Sequence, residues 1–274
     1  MNKVLRYLLG VFVVLVGAGL VSYPTISNWW NEMHTSKAVR DYSAVVTELD
    51  TEGLEEMKKK AHEYNRDLAK KPDQFAMNDE MMQDYYETLD VTGTGIMGYV
   101  TIPSLDVNLP IYHGVDDTVL QTAVGHMEGS SMPVGGMSTH VLLSGHRGLP
   151  SAKLFTHLDK MEIGDIFYLT VLDETLVYQV SEINTVLPTE PDLLYIEDGK
   201  DMVTLITCTP YGVNTHRLLV RGTRVTNTQN KILFDAGSVY ESSRFKLVVA
   251  LCVLVSGILV SSLGLWLVCV RRRK

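Results

Sequence analysis

Cys208 stands at the point where a buried-looking strand gives way to a loop. Residues 202–207 alternate β-branched with large apolar side chains, and a proline and a glycine follow the thiol closely. The other two cysteines, Cys252 and Cys269, lie in an apolar run near the C-terminus. Cys208 therefore has no disulfide partner in the middle of the chain, and it is either a reactive thiol or a buried, inert side chain.

A cysteine attacks a carbonyl carbon only as the thiolate, and a free thiol with a pKa of about 8.5 is mostly protonated at neutral pH. Among the eight histidines, His146 best matches the context of Cys208, because it follows a strand and has glycines close on either side. A developing oxyanion also needs fixed donors, which a guanidinium supplies. Arg217, Arg221 and Arg224 all lie on the strand after Cys208, and spacing alone does not choose among them.

Two long uncharged runs lie near the ends of the chain. Residues 7–31 follow Lys3 and Arg6, and residues 247–270 precede four terminal cations. As a helix the second run reaches about 36 Å, enough to cross a hydrocarbon core of about 30 Å. The flanking cations predict a multi-pass protein of the cell membrane with both termini in the cytoplasm and the intervening residues outside. If the first run is instead a cleaved signal peptide, the middle of the chain is still placed outside.

The charge of the middle segment narrows the classes of partner. All 32 acidic residues lie between Glu32 and Glu241, but only 16 of the 24 basic residues do, so this segment has a formal charge near −16. Such a domain is a poor fit to nucleic acid or to anionic lipid. The charge suits a cationic partner, such as a protein that presents a lysine, and it also serves solubility alone.

The front third of this segment has helical periodicity. Apolar residues recur every three or four positions over residues 35–71, with an interruption expected at Gly53. Pro72 ends the pattern, and a short helix is predicted over residues 79–89. We expect these helices to form an arm between the membrane and the rest of the domain.

From residue 97 onward the pattern changes to short strands separated by turns. About seven strand-like runs are predicted, with a brief helix over residues 116–124, an exposed loop over 125–139 and a helical turn over 151–158. This arrangement is typical of an antiparallel barrel or sandwich. The fold class is therefore mainly β, preceded by the helical arm and flanked by two transmembrane helices.

Several separated motifs together resemble the sortases, the membrane-anchored cysteine transpeptidases of Gram-positive bacteria. Residues 204–208 read Thr-Leu-Ile-Thr-Cys, similar to the TLxTC signature of that family. Four further segments match in the same order along the chain: residues 109–114, 125–131, 143–148 and 212–222. The resemblance covers roughly residues 98–225, is similar to the class C group that polymerises pilins, and implies an eight-stranded sortase β-barrel.

The resemblance also implies the roles of three residues. Cys208 would cleave an LPxTG-like sorting signal between Thr and Gly and hold the pilin as a thioester, while His146 would act as acid and base. Arg217, rather than Arg221, would stabilise the oxyanion. The acceptor would be a lysine amine of the next pilin subunit, with no metal and no organic cofactor.

One segment departs from the class C pattern. Those enzymes carry a lid in which an Asp-Pro-aromatic element covers the cysteine, whereas this chain reads Pro72-Asp73-Gln74-Phe75 and contains no Asp-Pro pair. We expect residues 72–96 to form a degenerate or mobile lid, or a simple tether.

The domain organisation predicted from these observations runs from end to end of the chain. It comprises a signal-anchor (1–31), a helical arm with the degenerate lid (32–96), the catalytic barrel (97–228), a juxtamembrane linker (229–246), a transmembrane helix (247–270) and a basic tail (271–274). Two alternative functions stay open at this stage. One is a sortase that anchors surface proteins to a cell-wall precursor, and the other is a non-catalytic, membrane-tethered binding protein with an inert Cys208.

Overall fold

Four α-helices and eight β-strands make up residues 3–225, the part of the chain that the computed structural model describes. The helices are α1 (Lys3–Glu48), α2 (Thr51–Leu68), α3 (Asp79–Glu87) and α4 (Asp117–Leu120). The strands are β1 (Ile96–Ile102), β2 (Val107–His113), β3 (Val124–His126), β4 (Thr139–Ser144), β5 (Ile166–Val171), β6 (Glu174–Val186), β7 (Asp201–Thr209) and β8 (His216–Arg224). The predicted second transmembrane run, residues 247–270, lies outside the described residues.

The eight strands close into a barrel in the order β1-β2-β3-β4-β7-β8-β6-β5. Most neighbours are antiparallel, but β2–β3 and β4–β7 run parallel. Alternate side chains point inward and fill the interior, as Val203 and Leu205 of β7 do. The closed ring of strands confirms the predicted barrel and excludes the sandwich, the alternative that the strand pattern left open.

Two short elements differ from the sequence-based expectations. The predicted loop over residues 125–139 contains most of β3, whose three residues are too few to show an alternating pattern. The predicted helix over 116–124 is only the four-residue α4. Residues 151–158, predicted as a helical turn, form turns whose backbone hydrogen bonds span three residues, as from Leu158 N to Phe155 O at 3.0 Å.

The helical arm begins much earlier than the periodicity suggests, because α1 is continuous from the apolar run to Glu48. The interruption predicted at Gly53 is wrong by a few residues. Asp50 caps α2 by accepting a hydrogen bond from Gly53 N at 2.9 Å, so the glycine lies inside the first helical turn. An aspartate at an N-cap satisfies a free backbone amide, and this fixes the helix start more strongly than a glycine breaks the helix.

Polar side chains fasten each helix of the arm to the barrel. Tyr42 of α1 accepts a hydrogen bond from Leu172 N at 2.8 Å and donates to Met97 O at 2.9 Å. The buried Tyr42 hydroxyl thus both accepts and donates a hydrogen bond. Tyr85 of α3 donates to His126 O at 2.8 Å. The arm is thus packed onto the barrel rather than held away from it.

Among the described residues, α1 is the one helix long and apolar enough to cross a membrane. The stretch that meets this test is Leu9–Glu48, with a mean hydropathy of 2.0 in its most apolar window, and that window is not buried by protein. This agrees with the first of the two predicted spans.

Candidate active site

Three neighbouring strands, β4, β7 and β8, present the candidate residues on the outer face of the barrel. Along β7 the side chains of Thr204, Ile206 and Cys208 alternate with the inward-pointing Val203 and Leu205. Cys208 is half-buried and has a free thiol. Thr204, Ile206 and Cys208 thus form a row of outward-facing side chains. Thr204 lies at the end of the row that other segments cover, and Cys208 lies at the end that is partly exposed to solvent.

Arg217 lies directly opposite Cys208 in the antiparallel β7–β8 ladder. Directly opposed residues have their Cβ atoms roughly 5 Å apart, so the guanidinium is within reach of the sulfur's surroundings. The Arg217 Nη1 donates to the carbonyl oxygens of His216 at 3.2 Å and Asn214 at 3.4 Å, both in its own strand and turn. No residue between 3 and 225 forms an ion pair with Arg217 in the structure, so its charge is available to a ligand.

The parallel pairing of β4 with β7 leads the chain from Ser144 toward His146 on the side of β7 that carries Cys208. The ladder pairs Leu143 with Leu205 and Ser144 with Ile206, and it continues with a hydrogen bond from Gly145 N to Ile206 O at 3.0 Å. His146 and Cys208 lie two residues beyond the last of these ladder pairs. Strands in a sheet lie about 4.8 Å apart, a spacing that an imidazole and a thiol can bridge.

Gly145 allows this close approach of the histidine segment to the barrel. A Cβ atom on Gly145 would lie 2.7 Å from the Phe155 ring, closer than packed carbon atoms come. Phe155 in turn donates its backbone N–H to His146 O at 3.2 Å. Any larger residue at position 145 would therefore clash with Phe155, a packing constraint that the sequence pattern alone does not reveal.

His140 lies at the covered end of this face, and both of its ring nitrogens have hydrogen-bond partners. His140 of β4 places Nδ1 2.9 Å from Tyr195 O and Nε2 2.7 Å from Thr204 Oγ1. Burial lowers the pKa of His140 to about 4, so the ring is neutral at pH 7, donating from Nδ1 and accepting at Nε2. This histidine is structural in its contacts, in contrast to the half-buried His146.

Arg221 lies at the same covered end, where two carboxylates and a backbone carbonyl contact its guanidinium. Its side chain is about 5% exposed, and Nη1 lies 2.9 Å from Glu197 Oε1 and 3.3 Å from Glu182 Oε2. Its Nη2 donates to Leu193 O. The two arginines that the spacing left undecided thus have different surroundings: Arg221 is paired with carboxylates, whereas Arg217 stands opposite the thiol.

An apolar row separates these two ends of the face. Leu142, Ile206 and Leu219 form a buried cluster on β4, β7 and β8, and Leu193, Leu194 and Phe75 pack against it. Leu193 and Leu194 belong to the connection between β6 and β7, which folds over the sheet and forms a wall on this face. Phe75 belongs to the segment before α3.

The segment around Gln74, predicted to be a degenerate lid or a tether, is docked on this wall. Gln74 is about 3% exposed; its Nε2 donates to Gly129 O at 3.0 Å, and its Oε1 accepts from Ile196 N at 2.8 Å. The Phe75 ring meets Tyr195 edge-on with centroids 5.2 Å apart. The segment therefore covers the apolar row, one step along the strands from Cys208.

Sequence reasoning missed two groups of residues that shape this face. Gln74 and Phe75 were assigned no contacts, because an uncharged pair in a loop has no periodicity to reveal its burial. Arg147 was passed over as the neighbour of His146, although its side chain is about 8% exposed. Within residues 3–225, no group of three or more histidine, cysteine or carboxylate side chains is arranged to hold a metal ion.

Comparisons with known proteins agree with this geometry. The sortase domain model matches residues 100–225. Sortase C1 from Streptococcus agalactiae is 49% identical over 70% of this chain and 99% of the solved chain, with a TM-score of 0.68. A sortase C from Clostridium perfringens, solved with the C-terminal cell wall sorting motif, is 40% identical over 70% of this chain and 99% of its own, with a TM-score of 0.59.

A curated relative is more distant. Sortase A of Streptococcus agalactiae is 27% identical over 207 residues, which are 74% of this chain and 78% of that protein. Sortases are membrane-associated cysteine transpeptidases with an extracellular catalytic domain. From the barrel, the matched domain and the near-complete coverage of the solved sortase C chains, the chain belongs to the sortase family, with strong structural matches to the class C members.

Proposed function

We propose that this chain is a pilin-polymerising transpeptidase with Cys208 as nucleophile, His146 as acid and base, and Arg217 as oxyanion donor. The observation that carries the proposal is the register: Arg217 is opposite Cys208 on one side, and on the other the parallel β4–β7 ladder runs to Ser144 and Ile206, two residues before His146 and Cys208. Nucleophile, proton carrier and cation are thus brought to one edge of the barrel from three neighbouring strands.

The first half-reaction cleaves the sorting signal. The Cys208 thiolate attacks the threonine carbonyl of an LPxTG-like motif, and Arg217 donates to the oxygen that becomes negative. His146, protonated, gives its proton to the glycine amine as the Thr–Gly bond breaks. The products are a thioester between Cys208 and the pilin, a free amine on the released tail, and a neutral His146.

The second half-reaction joins the pilin to its acceptor. A lysine amine of the next subunit attacks the thioester carbonyl, and the neutral His146 takes the proton that the amine loses. The C–S bond breaks, an isopeptide bond forms, and the Cys208 thiolate and protonated His146 are restored. No redox change takes place. The acidic character of the segment between Glu32 and Glu241 favours the approach of a lysine.

The choice of a pilin acceptor is supported by the class C likeness. The chain is 49% identical to a sortase C1 but 27% identical to a sortase A. For its placement we propose that α1 crosses the membrane with its N-terminus in the cytoplasm, which puts the barrel outside the cell. From the sequence we also propose that residues 247–270 form a second membrane span and that the domain boundaries are those predicted above.

The test uses the full chain in detergent or membranes with a pilin that carries the sorting motif. Cys208→Ala should abolish cleavage, and His146→Ala should lower it by about a thousandfold or more. Mass spectrometry of the product should locate an isopeptide bond to a pilin lysine. Attachment to a cell-wall precursor amine would instead identify a surface-anchoring sortase, and full activity in Cys208→Ala would refute the enzyme assignment.

A further inference from the structure

Arg147, the residue after His146, connects the histidine segment to the strand that carries Cys208. Its Nη1 donates to Thr209 Oγ1 at 3.1 Å, and Thr209 is the residue after Cys208. Its Nη2 forms an ion pair with Asp159 Oδ2 at 2.7 Å. The guanidinium carbon also lies 5.9 Å from the centroid of the Tyr211 ring. One side chain thus holds three groups from two separate segments.

A second bond links the same two segments on the other side of the candidate pair. Thr207, the residue before Cys208, donates from Oγ1 to the carbonyl oxygen of Gly145, the residue before His146, at 2.7 Å. Thr207 and Gly145 are both buried. His146 and Cys208 are therefore bracketed by side-chain bonds one residue before and one residue after each of them. Beyond Ser144 the pairing of β4 with β7 adds only the backbone hydrogen bond from Gly145 N to Ile206 O, and these side-chain bonds supplement it next to His146 and Cys208.

Arg147 also closes the connection that contains His146. Asp159 lies in the later part of the segment between β4 and β5, so its ion pair with Arg147 ties that part to the beginning of the segment. Next to Arg147, Gly148 has a φ of +82° and donates its N–H to Thr156 Oγ1 at 3.1 Å. A loop of this length would otherwise leave His146 free to shift relative to the strand.

The surroundings of Arg147 are not those of an arginine kept only for stability. Its Nε is buried and has no hydrogen-bond acceptor among residues 3–225. A buried donor without an acceptor lowers the stability of a fold, and an apolar side chain of similar size would avoid that loss. The compensating benefit is the fixed geometry that a planar, forked guanidinium gives to the three groups it contacts.

We propose that Arg147 is a positioning residue that sets the distance and orientation between His146 and Cys208 without contacting the substrate. This inference rests on the proposed function, because it assumes that His146 and Cys208 react as a pair. It predicts that loss of Arg147 impairs proton transfer and acylation while substrate binding is little changed.

The decisive experiment compares Arg147→Gln with wild type in the full chain, using a sorting-motif peptide. Because a misplacement of about 1 Å lowers a rate by about a hundredfold, we expect kcat to fall by about 30- to 100-fold with KM within about twofold. The rate of Cys208 alkylation by iodoacetamide should lose its wild-type dependence on pH and approach that of His146→Ala. A purely structural role would not change this pH profile in the folded protein.

Two further variants keep the test informative if Arg147→Gln folds poorly. Arg147→Lys retains the charge but not the fork, and Thr209→Val removes only the acceptor on the cysteine side while the Asp159 pair stays. Each should lower kcat by about 5- to 20-fold, since one anchor of the His146 segment is lost. Wild-type kcat in both would overturn the proposal.

The matched control is Arg224→Gln at the far end of β8. Arg224 also stands over an aromatic ring, 5.6 Å from the centroid of Tyr178, but it is remote from Cys208 in the ladder. This variant should change thermal stability without changing kcat or the alkylation profile. If Cys208→Ala kept activity, the proposed function would fail; if only Arg147→Gln behaved as wild type, the positioning role alone would be wrong.

Discussion

At the scale of single residues, the two arginines of β8 show how similar sequence positions acquire different tasks. Arg217 and Arg221 lie four positions apart and share the outer face of the strand. Arg221 is buried against Glu182 and Glu197, whereas Arg217 bonds only to nearby backbone oxygens in the described part of the chain. The difference comes from the wall formed by the β6–β7 connection, which covers one arginine and leaves the other beside the thiol.

Substitution of these arginines should therefore have opposite effects. Arg217→Ala is expected to lower kcat by about 100- to 1,000-fold through loss of an oxyanion donor, with little change in stability. Arg221→Ala is expected to lower the free energy of unfolding by about 1–3 kcal/mol, because Leu193 O and two half-exposed carboxylates lose their partner. Peptide cleavage kinetics and urea unfolding measure the two effects. A larger loss of kcat in folded Arg221→Ala would reverse the assignment.

The buried His140 should make the domain sensitive to acid. Burial lowers its pKa to about 4 in the folded protein, against about 6.5 in an unfolded chain. Below pH 6.5 the unfolded chain therefore binds a proton that the folded chain does not, and stability falls until about pH 4. The total loss from this group is about 3 kcal/mol.

The measurement is urea unfolding of wild type and His140→Gln between pH 7.5 and pH 4. The variant should show a shallower decline, since glutamine can replace both hydrogen bonds but cannot bind a proton. Part of the decline should remain, because burial also lowers the pKa of His126 to about 3. An unchanged slope would show that His140 does not contribute to the acid sensitivity.

At the scale of elements, the docked segment around Gln74 joins the helical arm to the wall over the active-site face. Gln74→Ala would leave Gly129 O and Ile196 N without their side-chain partner, at a loss of about 1–3 kcal/mol in docking free energy. We expect the Ile196 amide to exchange with deuterium at least about tenfold faster. Gln83→Ala, at an exposed position on α3, is the matched control and should leave that exchange rate unchanged. Equal protection in both variants would contradict the docking role.

The sequence predicted the long strands well because each is a run of six or more residues that is rich in β-branched and apolar side chains. An antiparallel return after Cys208 was expected to bring Arg217 near the thiol, as the β7–β8 ladder does, but the choice of Arg217 over Arg221 came only from the family resemblance. The short β3 and the docked Gln74 could not be foreseen, because three residues have no period and a polar loop gives no sign of its burial. The interruption between α1 and α2 was misplaced, since the capping bond of Asp50 outweighs the flexibility of Gly53.

At the scale of the whole molecule, α1 contacts the same connection that carries His146. Asn31 Nδ2 donates to Ser151 O at 2.7 Å, and Asn28 Oδ1 accepts from Lys153 N at 2.8 Å. Glu32 adds an exposed ion pair with Lys153 at 3.4 Å. The end of the apolar run therefore touches the histidine segment a few residues beyond His146.

Replacement of Asn31 by alanine should loosen this contact without unfolding the barrel. The Asn31→Ala variant leaves Ser151 O to water, so we expect amides of residues 149–155 to exchange about three- to tenfold faster. The barrel strands should keep their protection, and kcat should fall by less than in Arg147→Gln. Asn108→Ala, at an exposed position on β2, serves as a control. Unchanged exchange in residues 149–155 would show that α1 does not restrain them.

The continuity of α1 also has a kinetic consequence. In the arrangement proposed above, the helix that lies in the lipid is the one that touches the histidine segment, so the reactive edge stays near the bilayer surface. An enzyme held there meets a membrane-bound substrate by lateral diffusion in two dimensions. The encounter rate then depends on the number of molecules per unit area rather than on bulk concentration, and a confined reactant is present at a high effective concentration. Dilution of enzyme and substrate into more lipid should lower the reaction rate of the full-length, membrane-bound enzyme. Dilution of the same membranes into more buffer should leave that rate unchanged.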